Sequence, residues 1–492
     1  MIQPNFETFR KLVKKGNLIA IMKSIPADLE TPVSSFLKLA QRTPYAFLLE
    51  SAEQEERIGR YSFIGLEPEA IYTTANDKVH IKTRHRTTLS KQGVHLVDCI
   101  EKHLSEFKLA NPGSLPSFCG GFVGYLGYEN VQDFESVKLR AKQGPDIPKG
   151  IFFLTQDLLI FDHYRKTLSI VALVKIDRKG SLESLYHRAI KKITRYERSL
   201  RRPLQYVRTP RGIKSPLKVK SNMSRQDFQA KVKKIQQYIR AGDCIQVVLS
   251  QRFTLPEVRE DFQIYRALRS INPSPYMFYF RAKQLRLIGS SPELLVKKTG
   301  RLAEVRPIAG TRPRGDSLVE DSAYEDSLKR SSKEMAEHLM LVDLGRNDLG
   351  RVSEFDSVRV KNFARVERYS HVMHLVSDVV GRLRPGKTAF DLLKATFPAG
   401  TVTGAPKIRA MQIIDELEPE TRGPYAGCVG YFSFNHDMDM CITIRTLVVA
   451  GRKIYIQAGA GIVKDSNPNR EYQETVNKAS ALMRAVQDRE TF

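Results

Sequence analysis

The chain has 492 residues, a formal net charge of +25, 41% hydrophobic and 27% charged residues, and no tryptophan. That length predicts two domains or one large composite body. No apolar run approaches the ~18 residues of a membrane span, Met1–Gly16 has no secretory apolar region, and five scattered cysteines (Cys99, Cys119, Cys244, Cys428, Cys441) without C-x-x-C spacing fit reduced thiols in a cytoplasmic protein.

Residues 1–170 alternate short β-rich runs with glycine turns, as at Tyr45–Leu49, Ala70–Thr73 and Phe118–Tyr125. Apolar runs at 151–161 and 168–175 flank the polar turn Asp162–Lys166, which predicts a hairpin. Residues 171–223 are a basic helix (Ser181–Leu200) and a connector (Pro203–Lys220). Between 177 and 225 there are 15 Lys/Arg against three acids, so much of the charge excess sits in one segment. A basic protein invites a nucleic-acid reading, but no binding motif accompanies the run. A solvated basic face is the plainer account.

Residues 224–486 form the third region. Ser224 predicts an N-cap for a helix with Phe228, Val232, Ile235 and Ile239 on one face, ending at Gly242. Strands are predicted at Ile245–Leu249, Tyr276–Phe280, Arg286–Ile288 and Leu294–Lys297. A helix with Met335, Leu339 and Val342 as its apolar stripe carries Glu334 and Glu337. A further helix runs from Pro406 to Leu417, with proline at its first position. Strands follow at Tyr425–Phe434, Met440–Val449 and Lys453–Ala458, and a helix at Glu471–Val486. Strand clusters separated by helices, without regular βαβ alternation, predict an α+β body, a β-sandwich of mixed or antiparallel sheets flanked by helices.

Four signatures carry chemistry. Val305–Gly315 reads V-R-P-I-A-G-T-R-P-R-G, Phe397–Lys407 reads F-P-A-G-T-V-T-G-A-P-K, and Gln457–Gly461 reads Q-A-G-A-G. The fourth is a pair of i, i+3 glutamate doublets, Glu334/Glu337 and Glu471/Glu474. Each doublet shares a helix face. Two such helices opposed would gather four carboxylates, a hard-oxygen set suited to Mg²⁺, whereas separately they are surface charge, with Glu474 and Lys478 as an i, i+4 ion pair. Glycine-rich turns at Gly310-Thr311 and Gly459-Ala460-Gly461 let backbone N–H groups approach an anion. Arg445 can grip a carboxylate bidentately or close a salt bridge at a strand end.

Together these motifs resemble the chorismate-utilising enzymes, and in detail the large subunits of anthranilate synthase. The resemblance covers the chain broadly and 224–486 closely. It implies Mg²⁺ held by Glu337 and Glu474, with Glu334 and Glu471 supporting them, and chorismate contacted by Gly310, Thr311, Tyr425, Arg445, Gly459, Ala460 and Gly461. Glu293, in S-P-E-L-L, would protonate the departing 4-hydroxyl; His374 and Thr401 would be catalytic, while His371 does not occupy the catalytic position. Ser51, Pro275, Tyr276 and Met277 would bind L-tryptophan as a feedback inhibitor; without the resemblance they read as a strand end and a proline-rich turn. Lys464 and Asn467–Arg470 replace a more acidic run that the resemblance leads one to expect.

Family members divide by nucleophile. Water-using members carry a lysine where this chain has Gln246, and a neutral amide is a poor base. Aminodeoxychorismate synthases often carry a nucleophilic lysine where this chain has Ala309. Both positions leave ammonia as the attacking species, with an aminodeoxychorismate synthase lacking the lysine as the alternative. No G-x-C-x-G glutaminase turn is present, so the resemblance implies a separate glutamine amidotransferase subunit. Gly381–Thr388 fits the Walker A pattern, but Pro385 removes an N–H from the would-be phosphate cradle.

Overall fold

The computed structural model describes the chain apart from residues 41–42, 52–58, 76–77, 84–85, 91–92, 177–180, 205–216, 257, 259, 370–371 and 490–492. His371 and much of the predicted connector lie outside the described residues. Two sheets, of 13 and 12 strands among the described residues, form the body. Every pairing between their strands is antiparallel.

Strands from residues 1–170 and 224–486 share both sheets. In the first, Tyr45–Glu50 lies between Tyr61–Leu66 and Tyr276–Ala282; beyond these come Leu285–Ser291, Thr446–Ala450, Lys453–Ile462 and Gln246–Pro256. In the second, Gly121–Leu126 joins Gly150–Thr155 to Cys428–Ser433, followed by Met438–Ile442, Leu294–Thr299, Leu302–Val305 and Val372–Arg382. Strand alternation sorts side chains by face. Phe278 and Phe280 join Phe122, Phe152 and Phe432 in the core between the sheets. Their neighbours Met277 and Tyr279 point the other way, onto a helical layer that includes Ile193, Leu268 and Leu482.

The predicted α+β sandwich is therefore present, with differences that have physical reasons. The apolar run 151–161 is two strands: Gly150–Thr155 pairs in the second sheet and Asp157–Asp162 in the first, where it forms the expected hairpin with Thr167–Lys175. The run 440–449 also divides, into Met438–Ile442 in the second sheet and Thr446–Ala450 in the first. Leu339 is 49% exposed; the helix Ser332–Gly350 instead buries His338, Leu341, Val342, Gly345 and Leu349. Pro406 is the N-cap of Lys407–Leu417 rather than its first residue. Ser224 caps Arg225–Arg240 with a full capping box to Asp227, as its spacing predicts. The helix Leu182–Leu200 buries Leu185, Tyr186, Ala189, Ile193 and Tyr196 and leaves Arg188, Lys191, Arg195 and Arg198 outward, the solvated basic face.

Candidate active site

The chain crosses between sheets at two neighbouring places, and each crossing carries a predicted site residue. Leu285–Ser291 passes into Leu294–Thr299 through Pro292 and Glu293, and Met438–Ile442 passes into Thr446–Ala450 through Thr443, Ile444 and Arg445. The crossings are tied together: Ile442 N donates to Glu293 O at 3.0 Å and Ser290 N donates to Arg445 O at 3.1 Å. Arg445 sits at φ +49°, a left-handed conformation uncommon outside glycine.

Protein packs closely around the Glu293 carboxyl. Burial pushes its pKa up to about 7, held back by Thr401 and Lys478. The Thr401 Oγ1 is buried with no hydrogen-bond partner at bonding distance. Arg445 has no salt bridge among the described residues; its guanidinium reaches only Lys478 O, at 3.5 Å. Burial lowers its pKa, partly offset by Tyr425 and Glu474. A guanidinium largely withdrawn from water without a carboxylate partner is costly unless an anion completes it. The strand-end salt bridge is therefore absent. The Tyr425 hydroxyl, pushed up to about 12 by burial, interacts with both Arg445 and Glu293.

Gly459, Ala460 and Gly461 lie within the strand Lys453–Ile462, not in a turn as their spacing suggested. Gly461 stands opposite Val248 and Gly459 opposite Ser250. The neighbouring strand Thr446–Ala450 pairs only as far as Ile456, so the strand's last residues have an open edge. Gly459 turns its carbonyl to Lys478 Nζ at 3.0 Å, and its N–H faces the same way, as strand geometry requires. A Cβ on Gly459 would stand 2.7 Å from the Tyr425 hydroxyl, and one on Gly461 2.5 Å from Gln246 Nε2. Glycine within a strand here marks a close approach.

Gly310, at φ +63°, lies where the pairing of Ile308–Pro313 with Val372–Arg382 shifts register. Its carbonyl is 2.8 Å from His374 Nδ1, with the Thr311 hydroxyl 3.1 Å from the same nitrogen. Assigning the proton to Nδ1, which donates to Gly310 O, leaves Nε2 as an acceptor. Burial lowers the His374 pKa and Arg445 lowers it further, so the ring is neutral near pH 7. Ala309 is buried in the same strand.

One carboxylate of each doublet, Glu337 and Glu474, stands within electrostatic reach of the other. Burial raises the Glu337 carboxyl, and Glu334 and Glu474 raise it further. Burial also raises Glu471, with Glu474 adding to the shift. Glu334 pairs with Arg312 at 3.3 Å and Glu474 with Lys478 at 2.6 Å, the second being the expected i, i+4 ion pair. Among the described residues no three metal-ligating side chains stand ready as a cage. The run Asn467–Arg470 serves as a cap: Asn467 Oδ1 accepts from Asn469 N and Arg470 N, and the helix Pro468–Asp488 starts there. Lys478 was passed over as a site residue. It shares a helix face with Glu471 and Glu474, bonds Gly459 and acts on Glu293, Glu337 and Glu471.

Ser51, Pro275, Tyr276 and Met277 all line one cavity of about 360 Å³. Met277 pairs with Glu50 across the first sheet, and the Tyr276 hydroxyl donates to Asp439 at 3.0 Å. Pro292 and Leu294, the two neighbours of Glu293, form part of its wall, as do Asp439 and Cys441. The Walker-like run is occupied otherwise: Lys387 pairs with Asp391 at 3.0 Å and Thr388 caps the short helix Ala389–Thr396.

The family model for chorismate binding enzymes matches residues 44–484. The chain is 44% identical over 497 residues to "Anthranilate synthase component 1" of Acetivibrio thermocellus, spanning 99% of each. Among solved structures, anthranilate synthase component I from Streptococcus pneumoniae superposes with a TM-score of 0.77 at 35% identity, over 93% of this chain and 98% of that one. The menaquinone-specific isochorismate synthase of Escherichia coli shares the fold, with a TM-score of 0.71 at 20% identity over 98% of each chain.

Proposed function

The chain belongs to the chorismate binding enzyme family, and from that premise we propose that it converts chorismate and ammonia to anthranilate and pyruvate, the first step of tryptophan synthesis. The observation that carries this reading is the unpaired Arg445 guanidinium beside a carboxyl that keeps its proton near neutrality. Arg445 and the open edge at Gly459–Gly461, with Gly310 and Thr311 nearby, supply donors for the substrate's carboxylates. Tyr425 packs against the ring. Protonated Glu293 donates to the departing 4-hydroxyl while ammonia bonds to C2, and Thr401 orients that carboxyl. Loss of the C2 proton and of pyruvate then completes the aromatic ring. Neutral His374, its tautomer fixed by Gly310, presents Nε2 to the same space.

Gln246 and Ala309 argue for ammonia. An amide at 246 cannot take a proton from water, and an alanine at 309 offers no nucleophile. These carboxylates fit a divalent cation, because burial first, and then the neighbouring carboxylates Glu334 and Glu474, raise Glu337, as burial and Glu474 raise Glu471, and a cation would relieve both. Glu337 and Glu474 would hold Mg²⁺, with Glu334 and Glu471 behind them. Bound Mg²⁺ would supply charge stabilisation at the ring carboxylate.

The relatives are named as one component, and a glutamine amidotransferase subunit would deliver the ammonia in the cytoplasm. L-Tryptophan would occupy the 360 Å³ cavity, giving residues 1–170 their regulatory role, while 224–486 bind chorismate. The test is product analysis of the pure chain with chorismate and Mg²⁺. Ammonium should give fluorescent anthranilate and glutamine should not. Aminodeoxychorismate as product, or glutamine-dependent turnover without a partner, would falsify the assignment.

A further inference from the structure

The turn that presents Glu293 also borders the 360 Å³ cavity. The Glu293 carboxyl interacts with Thr401 and Tyr425, while Pro292 and Leu294, on either side of it in the chain, belong to the cavity wall. Beside Leu294, and paired with it across adjacent strands, the same wall includes Cys441, one residue before Ile442. Ser291 sits where these lines meet. It is fully buried. Its Oγ donates to Ile442 O at 2.6 Å and accepts from Glu293 N at 3.4 Å. Ile442 N in turn donates to Glu293 O at 3.0 Å, and the residue before Ser291 donates through its N–H to Arg445 O at 3.1 Å. One hydroxyl thus closes a small ring of bonds through both sheet crossings, and Ser291 itself lines no part of the cavity.

We infer that Ser291 is a positioning residue: it moors the backbone of Glu293 to the strand end at Ile442, and through this mooring a ligand filling the cavity displaces the catalytic acid. The inference rests on the reading of the cavity as the tryptophan site and of Glu293 as the acid. A ligand against Pro292 and Leu294 bears on the chain on either side of Glu293. With the Ser291 bond in place, the turn and the Ile442–Arg445 segment shift as one body. Without it, the two segments are tied only by the Ile442 N–Glu293 O and Ser290 N–Arg445 O bonds, and a shift of the wall is passed to Glu293 less fully. Coupling between two sites requires such a shared element whose arrangement both sites bias.

Ser291→Ala removes the bond and replaces no residue of the cavity lining, although it also frees the thiol of Cys441, which the hydroxyl reaches. Binding of L-tryptophan is read from the ligand's own indole fluorescence, which is unobscured because the chain contains no tryptophan. Inhibition is read with chorismate, Mg²⁺ and ammonium. The expected result is tryptophan affinity within about twofold of the parent, a half-inhibiting concentration raised about fivefold or more, and a displaced alkaline limb of the kcat–pH profile. A change of packing alone would not move that limb. Pro292→Ala, which trims the cavity wall and keeps the mooring, should weaken tryptophan binding and leave the limb in place. If Ser291→Ala retains both the parent's limb and its inhibition, the mooring role is overturned. If it loses tryptophan binding outright, Ser291 belongs to the cavity and the relay is overturned. If the parent itself binds no tryptophan, the cavity reading fails first and takes the relay with it.

Discussion

Glu293 is the residue on which chemistry and stability pull in opposite directions. Its ordinary pKa of 4.5 is pushed up to about 7 in the folded chain by burial. The folded form therefore holds a proton that the unfolded form has released, and this group's contribution to stability is lost as pH rises from 4.5 to about 7. Glu293→Gln keeps the side chain neutral throughout. It should lower kcat by about 10²–10⁴-fold yet raise stability above pH 7 by up to about 3 kcal/mol, measured by denaturant unfolding at pH 5 and pH 8. In the parent, kcat should fall as pH rises through about 7, since the acid must be protonated. Gln246 gives a second prediction. Its Oε1 is buried without a partner, so a lysine there would be desolvated and its pKa depressed toward that of a base. Gln246→Lys should reduce anthranilate yield and release isochorismate from water, seen by chromatography; unchanged anthranilate yield would remove the argument from this position. Glu293 was legible only through family likeness, and Arg445 only as one of two readings without it, because no local pattern announces a sheet crossing. Lys478 was legible from spacing alone, as the residue that shares a face with Glu471 and Glu474, but its ion pair with Glu474 read as sufficient explanation.

At the scale of elements, the helices Ser332–Gly350 and Pro468–Asp488 each contribute a doublet to one acidic cluster. The i, i+3 spacing sets which carboxylates share a face; only the fold, which brings helices from distant parts of the chain near each other, could bring Glu474 within reach of Glu337. Glu337→Gln should remove one of the repelling carboxylates. The expected outcome is a higher Tm without divalent cation, loss of the Tm increase expected from Mg²⁺ in the parent, and an activity loss of about 10–100-fold or more. An unaltered Mg²⁺ response in differential scanning fluorimetry would separate Glu337 from the metal. Most predicted strands are present, because alternation and apolar content are local signals. The breaks at Gln156 and at 443–445 were missed because strands buried on both faces read as one continuous run. Arg359–Arg368 was missed for the opposite reason: it is a largely exposed strand whose alternate apolar residues Val360, Ala364 and Val366 are interrupted by Asn362 and only partly covered.

For the whole molecule, the division of roles proposed for 1–170 and 224–486 is not a division of bodies. Tyr45–Glu50 completes the sheet that holds Tyr276–Ala282, and Gly121–Leu126 completes the one that holds Cys428–Ser433. A fragment of residues 224–492 would leave both sheets with raw edges and the core between them half-built. It should show no cooperative unfolding transition and should aggregate; a soluble, cooperatively melting fragment would contradict this topology.

The same long-range pairing bears on synthesis. Cys119 N reaches Ser433 Oγ across 314 positions. At about 5–20 residues per second, a ribosome takes about 15–60 s to supply the second partner of Gly121–Leu126. During that interval the nascent chain offers an unsatisfied β-edge, and a holdase that covers it should raise the yield of native enzyme more than one that acts after release.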